Sequence, residues 1–151
     1  MKFFDSPDRL KQLSYEACRW LDTPFAPHAS VCGAGVDCVH LVAAIYRACG
    51  VLAEFRPPKY TLDGGSHNQE SQLLAWFNAH PRFARVNSPG VGDALCFNLG
   101  LSEHHAGLVL SEGHFIHVLP RRQVIISHLQ EKYYSRRITA IYRPMEVSDV
   151  R

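Results

Sequence analysis

The segment Gly33-Ala34-Gly35-Val36-Asp37-Cys38-Val39-His40-Leu41-Val42-Ala43-Ala44-Ile45-Tyr46-Arg47-Ala48-Cys49-Gly50 organises the reading of the whole chain. Glycines end a loop, Asp37 stands where a helix N-cap belongs, and Leu41, Val42, Ile45, Tyr46 and Cys49 recur at helical spacing. Gly50 is a natural residue just past the helix end. Cys38 therefore opens a helix behind a glycine-containing loop. Unpaired N–H groups and the macrodipole at such a place favour a thiolate, and the first-turn amides could receive an oxyanion. Equally, a small residue simply fits a tight helix start.

Working outward, Ser6-Pro7-Asp8 reads as the cap and first positions of an earlier helix. Leu10, Leu13, Ala17, Trp20 and Leu21 give it an apolar face, and Thr23-Pro24 closes it. Residues 24–36 read as a loop. A third helix is expected from Ser66 to His80, with Leu73, Leu74, Trp76 and Phe77 inward. The remainder is strand-like: Asp93–Leu99, His105–Leu110, His114–Leu119, Gln123–Leu129 and Ile138–Arg143, separated by turn residues. Helices first, then closely spaced strands, predict an α+β domain with the helices packed on a five- to six-stranded antiparallel sheet.

The 151 residues fit one domain, 1–151, large enough to bury its own core. A net charge of +2, with basic residues no denser than the pairs Arg121-Arg122 and Arg136-Arg137, argues against a nucleic-acid surface. No stretch has the length of a membrane span or a signal peptide, so the expected location is cytoplasmic as synthesised. Five cysteines without framework spacing, and no export signal, point to reduced thiols. Without a Cys-x-x-Cys or His-x₃-His pair, neither a metal nor another cofactor is expected, although Cys32, His40, His104 and His105 are the residues such a site would draw on.

A thiol nucleophile needs a base. His105 and His117 lie on strands flanking Ser111-Glu112-Gly113. A three-residue, bulge-free hairpin ending at Gly113 puts both on one face, with Gly107 leaving room between them. If the helix from Cys38 packs on that face, a Cys–His–His arrangement follows: His105 takes the thiol proton and His117 orients His105. Each histidine, read alone, fits a satisfied core or surface position as well. His104 is the rival for the base.

Four ordered blocks resemble the NlpC/P60 cysteine peptidases: residues 35–42 around Asp37-Cys38, Gly92-Asp93-Ala94-Leu95-Cys96-Phe97, His105-Ala106-Gly107-Leu108-Val109, and Phe115-Ile116-His117-Val118. With Thr23-Pro24-Phe25 ahead and Tyr60 behind, the first block looks most like the phage-tail-associated branch. The resemblance spans residues 18–143. It implies a papain-like fold and hydrolysis of amide bonds in peptidoglycan peptides, typically between D-glutamate and a diamino acid. It makes Cys38 the nucleophile, His105 the base and His117 the orienting group, with Phe25, Asp37, His40 and Tyr60 around the substrate or oxyanion. Two departures stand out. Val39-His40 replaces the family's usual Ser-Gly or Leu-Gly, so that His40 either lines the cleft or faces solvent. Phe25 occupies a place where the family tends to carry a tyrosine hydroxyl.

Asp37 suits substrate-amine binding or, more simply, an N-cap; Asp93 suits a structural turn. A Cys32–Cys38 disulfide rests on proximity alone. Two other functions remain compatible with the sequence: a thiol acyltransferase or amidase on a lipid or small molecule, and a degenerate wall-binding or tail-assembly module. The cleaved amide, the oligomeric state and a phage or bacterial role stay open.

Overall fold

A computed structural model describes residues 1–55, 67–100 and 105–147, with 67–71 as backbone only. Ser6 begins α1 (Pro7–Cys18): its hydroxyl accepts the Arg9 N–H at 3.2 Å, and proline occupies the first helical position. The helix stops at Cys18, earlier than its apolar spacing suggests. The Trp20 and Leu21 amides turn back to the Ala17 and Cys18 carbonyls, and Asp22 is left-handed at φ 68°. Trp20 still reaches the core, while Leu21 stays at the surface.

The expected loop contains a two-stranded ladder, β1 (Ser30–Val31) and β2 (Gly35–Val36). Gly35 is required there: a Cβ would lie 2.7 Å from the Ala26 Cβ. Next come α2 (Cys38–Ala48) and α3 (His67–Ala79). The main sheet comprises β3 (Phe83–Val86), β4 (Ala94–Phe97), β5 (His105–Ser111), β6 (His114–His117), β7 (Ile125–His128) and β8 (Ile138–Pro144), and α4 (Lys132–Ser135) lies between the last two. Strand order is β3-β8-β4-β5-β6-β7, every pair antiparallel. This is the expected α+β, papain-like architecture. The sequence reading omits β3 and α4, each of only four residues and without a resolvable period.

Side-chain alternation gives the sheet two buried faces. One carries Ala94, Cys96, Ala106, Leu108, Ile116, Ala140 and Tyr142 beneath the helices. Cys96 pairs with both Ala106 and Ala140, so three small side chains form a floor on which α2 lies closely. The other face carries Leu95, Phe97, Val109, Phe115 and Ile141, covered by Tyr134 of α4. Asp93, fully buried before β4, accepts both Arg143 guanidinium contacts (3.0 and 2.8 Å) and the Gly90 N–H (2.7 Å). That is the turn role the sequence favours.

Candidate active site

Asp37 caps α2 and is 1% exposed. One carboxylate oxygen accepts the His40 N–H (2.8 Å) and faces the His40 ring Nδ1 (2.9 Å); the other accepts the His28 N–H at 2.7 Å. These contacts make it the cap rather than an exposed amine-binding group. The His40 side chain is largely covered, 16% exposed. Its ring is held between Asp37 and the face-to-edge contact with Phe55 at 5.6 Å.

Cys38 occupies the first turn of α2 with 6% of its surface exposed. Burial first, then the negative charge of Asp37, push the thiol up to about 12, against opposing hydrogen bonds from the Ala106, Val39 and Cys38 backbone. The helix start alone therefore does not ionise the sulfur, contrary to the sequence expectation; desolvation outweighs the aligned amides. The Ala106 contact locates the sulfur. Val109 exchanges backbone bonds with the lead-in to β4, so by alternation the Ala106 N–H points toward β6. The β5–β6 ladder ends at Leu108–Ile116, so this N–H lies beyond the last pair, and the sulfur takes it.

The histidines share a face, for a different reason than the sequence suggested. The hairpin turns through Glu112-Gly113 alone, pairing Ser111 with His114, and a bulge between Val109 and Ser111 restores the parity. In that register His117 is diagonal to His105, and a Cβ on Gly107 would lie 2.9 Å from the Phe115 ring and 3.5 Å from the His117 Cβ. The shared face is the one away from α2. His105 packs on Phe97 (5.5 Å), and His117 on Phe115 (4.6 Å) and edge-on to Tyr134 (5.1 Å). The imidazoles therefore lie on the face away from the helix, and the Ala106 N–H is the contact of the Cys38 sulfur with β5.

His105 Nε2 lies 2.8 Å from His117 Nδ1, and His117 Nε2 lies 2.7 Å from the Ser127 hydroxyl. The three residues are 1%, 0% and 6% exposed and stand on β5, β6 and β7. Desolvation lowers the His117 pKa to about 4, so this imidazole is neutral at physiological pH. Ser127 and Tyr134 are absent from the sequence reading. The available signal was a polar residue inside Ile125-Ile126-Ser127-His128, where the isoleucines are the half-exposed positions and the serine is buried.

Phe25 bonds through its backbone N–H to the Arg122 carbonyl at 2.8 Å and packs its half-buried ring on the helical core. Tyr60 and His104 lie outside the described residues. All five cysteines are described, and no disulfide joins them; Cys32 instead donates to the Arg19 carbonyl at 3.1 Å. Among the described residues no cluster of three or more His, Cys, Asp or Glu could hold a metal ion, and no helix is long and apolar enough to cross a membrane.

Comparison with curated protein sequences finds no significant match. Solved structures share the fold. An NLP/P60-family protein from Staphylococcus aureus, described as similar to lipoprotein, superposes with TM-score 0.65 at 14% identity, covering 96% of this chain and 44% of its own. The NlpC/p60 domain of the peptidoglycan hydrolase SagA gives 0.57 at 18% identity, covering 90% and 98%. NlpC2 from Trichomonas vaginalis gives 0.63 at 14%, covering 91% and 46%. The chain thus spans less than half the length of the staphylococcal and Trichomonas proteins and nearly all of the SagA domain. The sequence profile of the NlpC/P60 family matches residues 23–143, a span that takes in Cys38, His105 and His117, and the chain belongs to that family.

Proposed function

We propose that this chain is a cysteine peptidase or amidase acting on amide bonds of cell-wall peptides, with Cys38 as nucleophile, His105 as base and His117 as the group that orients it. One observation carries the reading: the Cys38 sulfur takes the N–H of Ala106, the neighbour of a histidine whose Nε2 is engaged by a buried, neutral imidazole. His105 Nδ1 is then the nitrogen that exchanges the thiol proton. The thiolate attacks the amide carbonyl, and the Cys38 backbone N–H receives the oxyanion. His105 returns its proton to the leaving amine, and water activated by the same ring frees the acyl group. Burial raises the thiol, so the thiolate forms only as His105 takes its proton.

The test is release of new amines from muropeptides by the wild-type chain and by Cys38→Ala. The variant abolishes release while its melting temperature moves by no more than about 2–4 °C, the effect of ~1 kcal/mol in a domain of this size. Unchanged release by the variant refutes the mechanism.

A second reading rests on a different observation. A wholly apolar hollow with about 20 Å³ of free space lies between α2, Phe55, Trp76 and Ala106 and is lined by Val39, next to the nucleophile. It is too small to seat an acyl chain as it stands, but an apolar wall beside the nucleophile favours an apolar group on the substrate, and therefore a lipid or small-molecule amide. Turnover of fatty-acyl amides with muropeptides untouched selects this reading over the first. If neither is turned over and Cys38 resists an electrophilic probe, the chain serves as a binding or assembly module.

A further inference from the structure

We infer that Ser127 is a positioning residue for the reaction, holding His117 in the single tautomer that lets it support His105. The inference rests on the catalytic reading above. The His105–His117–Ser127 series crosses three adjacent strands diagonally through 2.8 and 2.7 Å contacts, and all three side chains are buried. When His105 has taken the thiol proton, both its ring nitrogens carry hydrogen, so its Nε2–H needs an acceptor. Neutral His117 accepts at Nδ1 only if its own proton is on Nε2. The Ser127 oxygen, as acceptor for that Nε2–H, makes this tautomer the favoured one. With the hydroxyl removed, His117 Nε2 is left in an apolar wall of Phe115 and Tyr134. The competing tautomer then sets Nδ1–H against Nε2–H of His105, destabilising the imidazolium.

The consequence has a kinetic signature. A less stable imidazolium gives up its proton at lower pH, and less of the thiolate–imidazolium pair forms from thiol and neutral imidazole. The acid limb of the kcat/KM profile, where His105 becomes a base, moves down by about one pH unit, and the maximum falls about tenfold. Ser127→Thr and Ser127→Val are the informative pair, since both fit a strand with similar shape and only one has a hydroxyl. Ser127→Thr keeps the wild-type pH profile; Ser127→Val gives a weaker profile with its acid limb at lower pH. Identical profiles for the two, at matched melting temperature, overturn the inference and leave Cys38 chemistry standing.

A measurement that needs no turnover separates this idea from the catalytic reading. In Cys38→Ala protein, ring-nitrogen NMR of His117 shows a protonated Nε2 and an unprotonated Nδ1, and adding Ser127→Ala brings in the opposite tautomer. A His117 signal indifferent to Ser127 overturns the inference. Failure of Cys38→Ala to lose activity counts against the catalytic reading alone. Should Ser127→Val not fold, Ser127→Ala supplies both measurements without adding volume.

Discussion

Acidification from about pH 7 to about pH 5 isolates His117, because this imidazole is fully buried against Phe115 and Tyr134. Desolvation lowers its pKa from 6.5 to about 4, whereas in the unfolded chain the ring returns to an ordinary value near 6.5. The folded value is the lower one. Between the two, the unfolded chain binds a proton that the native chain does not, so stability is complete above about pH 6.5 and declines as pH falls toward 4. At ~1.36 kcal/mol per pH unit, the interval down to about pH 5 removes ~2 kcal/mol. The experiment is urea denaturation of wild type and His117→Asn at both pH values, followed by the fluorescence of Trp20 and Trp76. The variant loses packing at either pH, and that loss cancels in the difference. His80, which burial and Arg82 also lower, is present in both proteins and cancels too. Wild type should lose ~2 kcal/mol more than His117→Asn over the interval. Equal losses would show that His117 is charged in the native state, and the account of a neutral orienting imidazole would fail.

Two further outcomes follow from the same geometry. Asp37→Asn keeps an oxygen to cap α2 but removes the charge that helps hold the Cys38 thiol high, so alkylation of Cys38 shifts to lower pH by up to about one unit. Iodoacetamide rates against pH, with exposed Cys18 and Cys32 changed to serine, measure this; an upward shift contradicts it. Gly107→Ala forces a methyl group against the Phe115 ring, where only 2.9 Å is available, and next to His117. It costs ~1–3 kcal/mol by thermal melting and lowers muropeptide turnover more than the lost folded fraction explains.

Much of this layout was legible because the local signals agree. Pro7 and Ser6 announce α1, Asp37 and Gly50 bracket α2, and five apolar runs give five of the six sheet strands. The histidine pair was legible through strand parity, although the chain reaches that parity by a two-residue turn and a bulge. A bulge has no residue signature strong enough to read in advance. The side of the sheet stayed conditional in the sequence, because an alternating strand shows which residues are together and not which face a helix covers; the small residues Cys96, Ala106 and Ala140 decide that by admitting α2. The thiol's protonation was misjudged because depth of burial is a tertiary property, and at Cys38 it outweighs the helix start. Ser127 escaped notice because the isoleucines beside it look like the inward positions, yet the register to Phe115 turns the serine inward.

The series from His105 ends on β7, an edge strand of the sheet, paired on one side only by four residues. Marginal strands detach at lower free-energy cost than interior ones, well before the whole domain gives way. Warming should therefore silence the chemistry at temperatures where the protein still scatters and fluoresces as folded. A gap between the inactivation curve and the melting curve would be the visible trace of one peripheral strand lifting away.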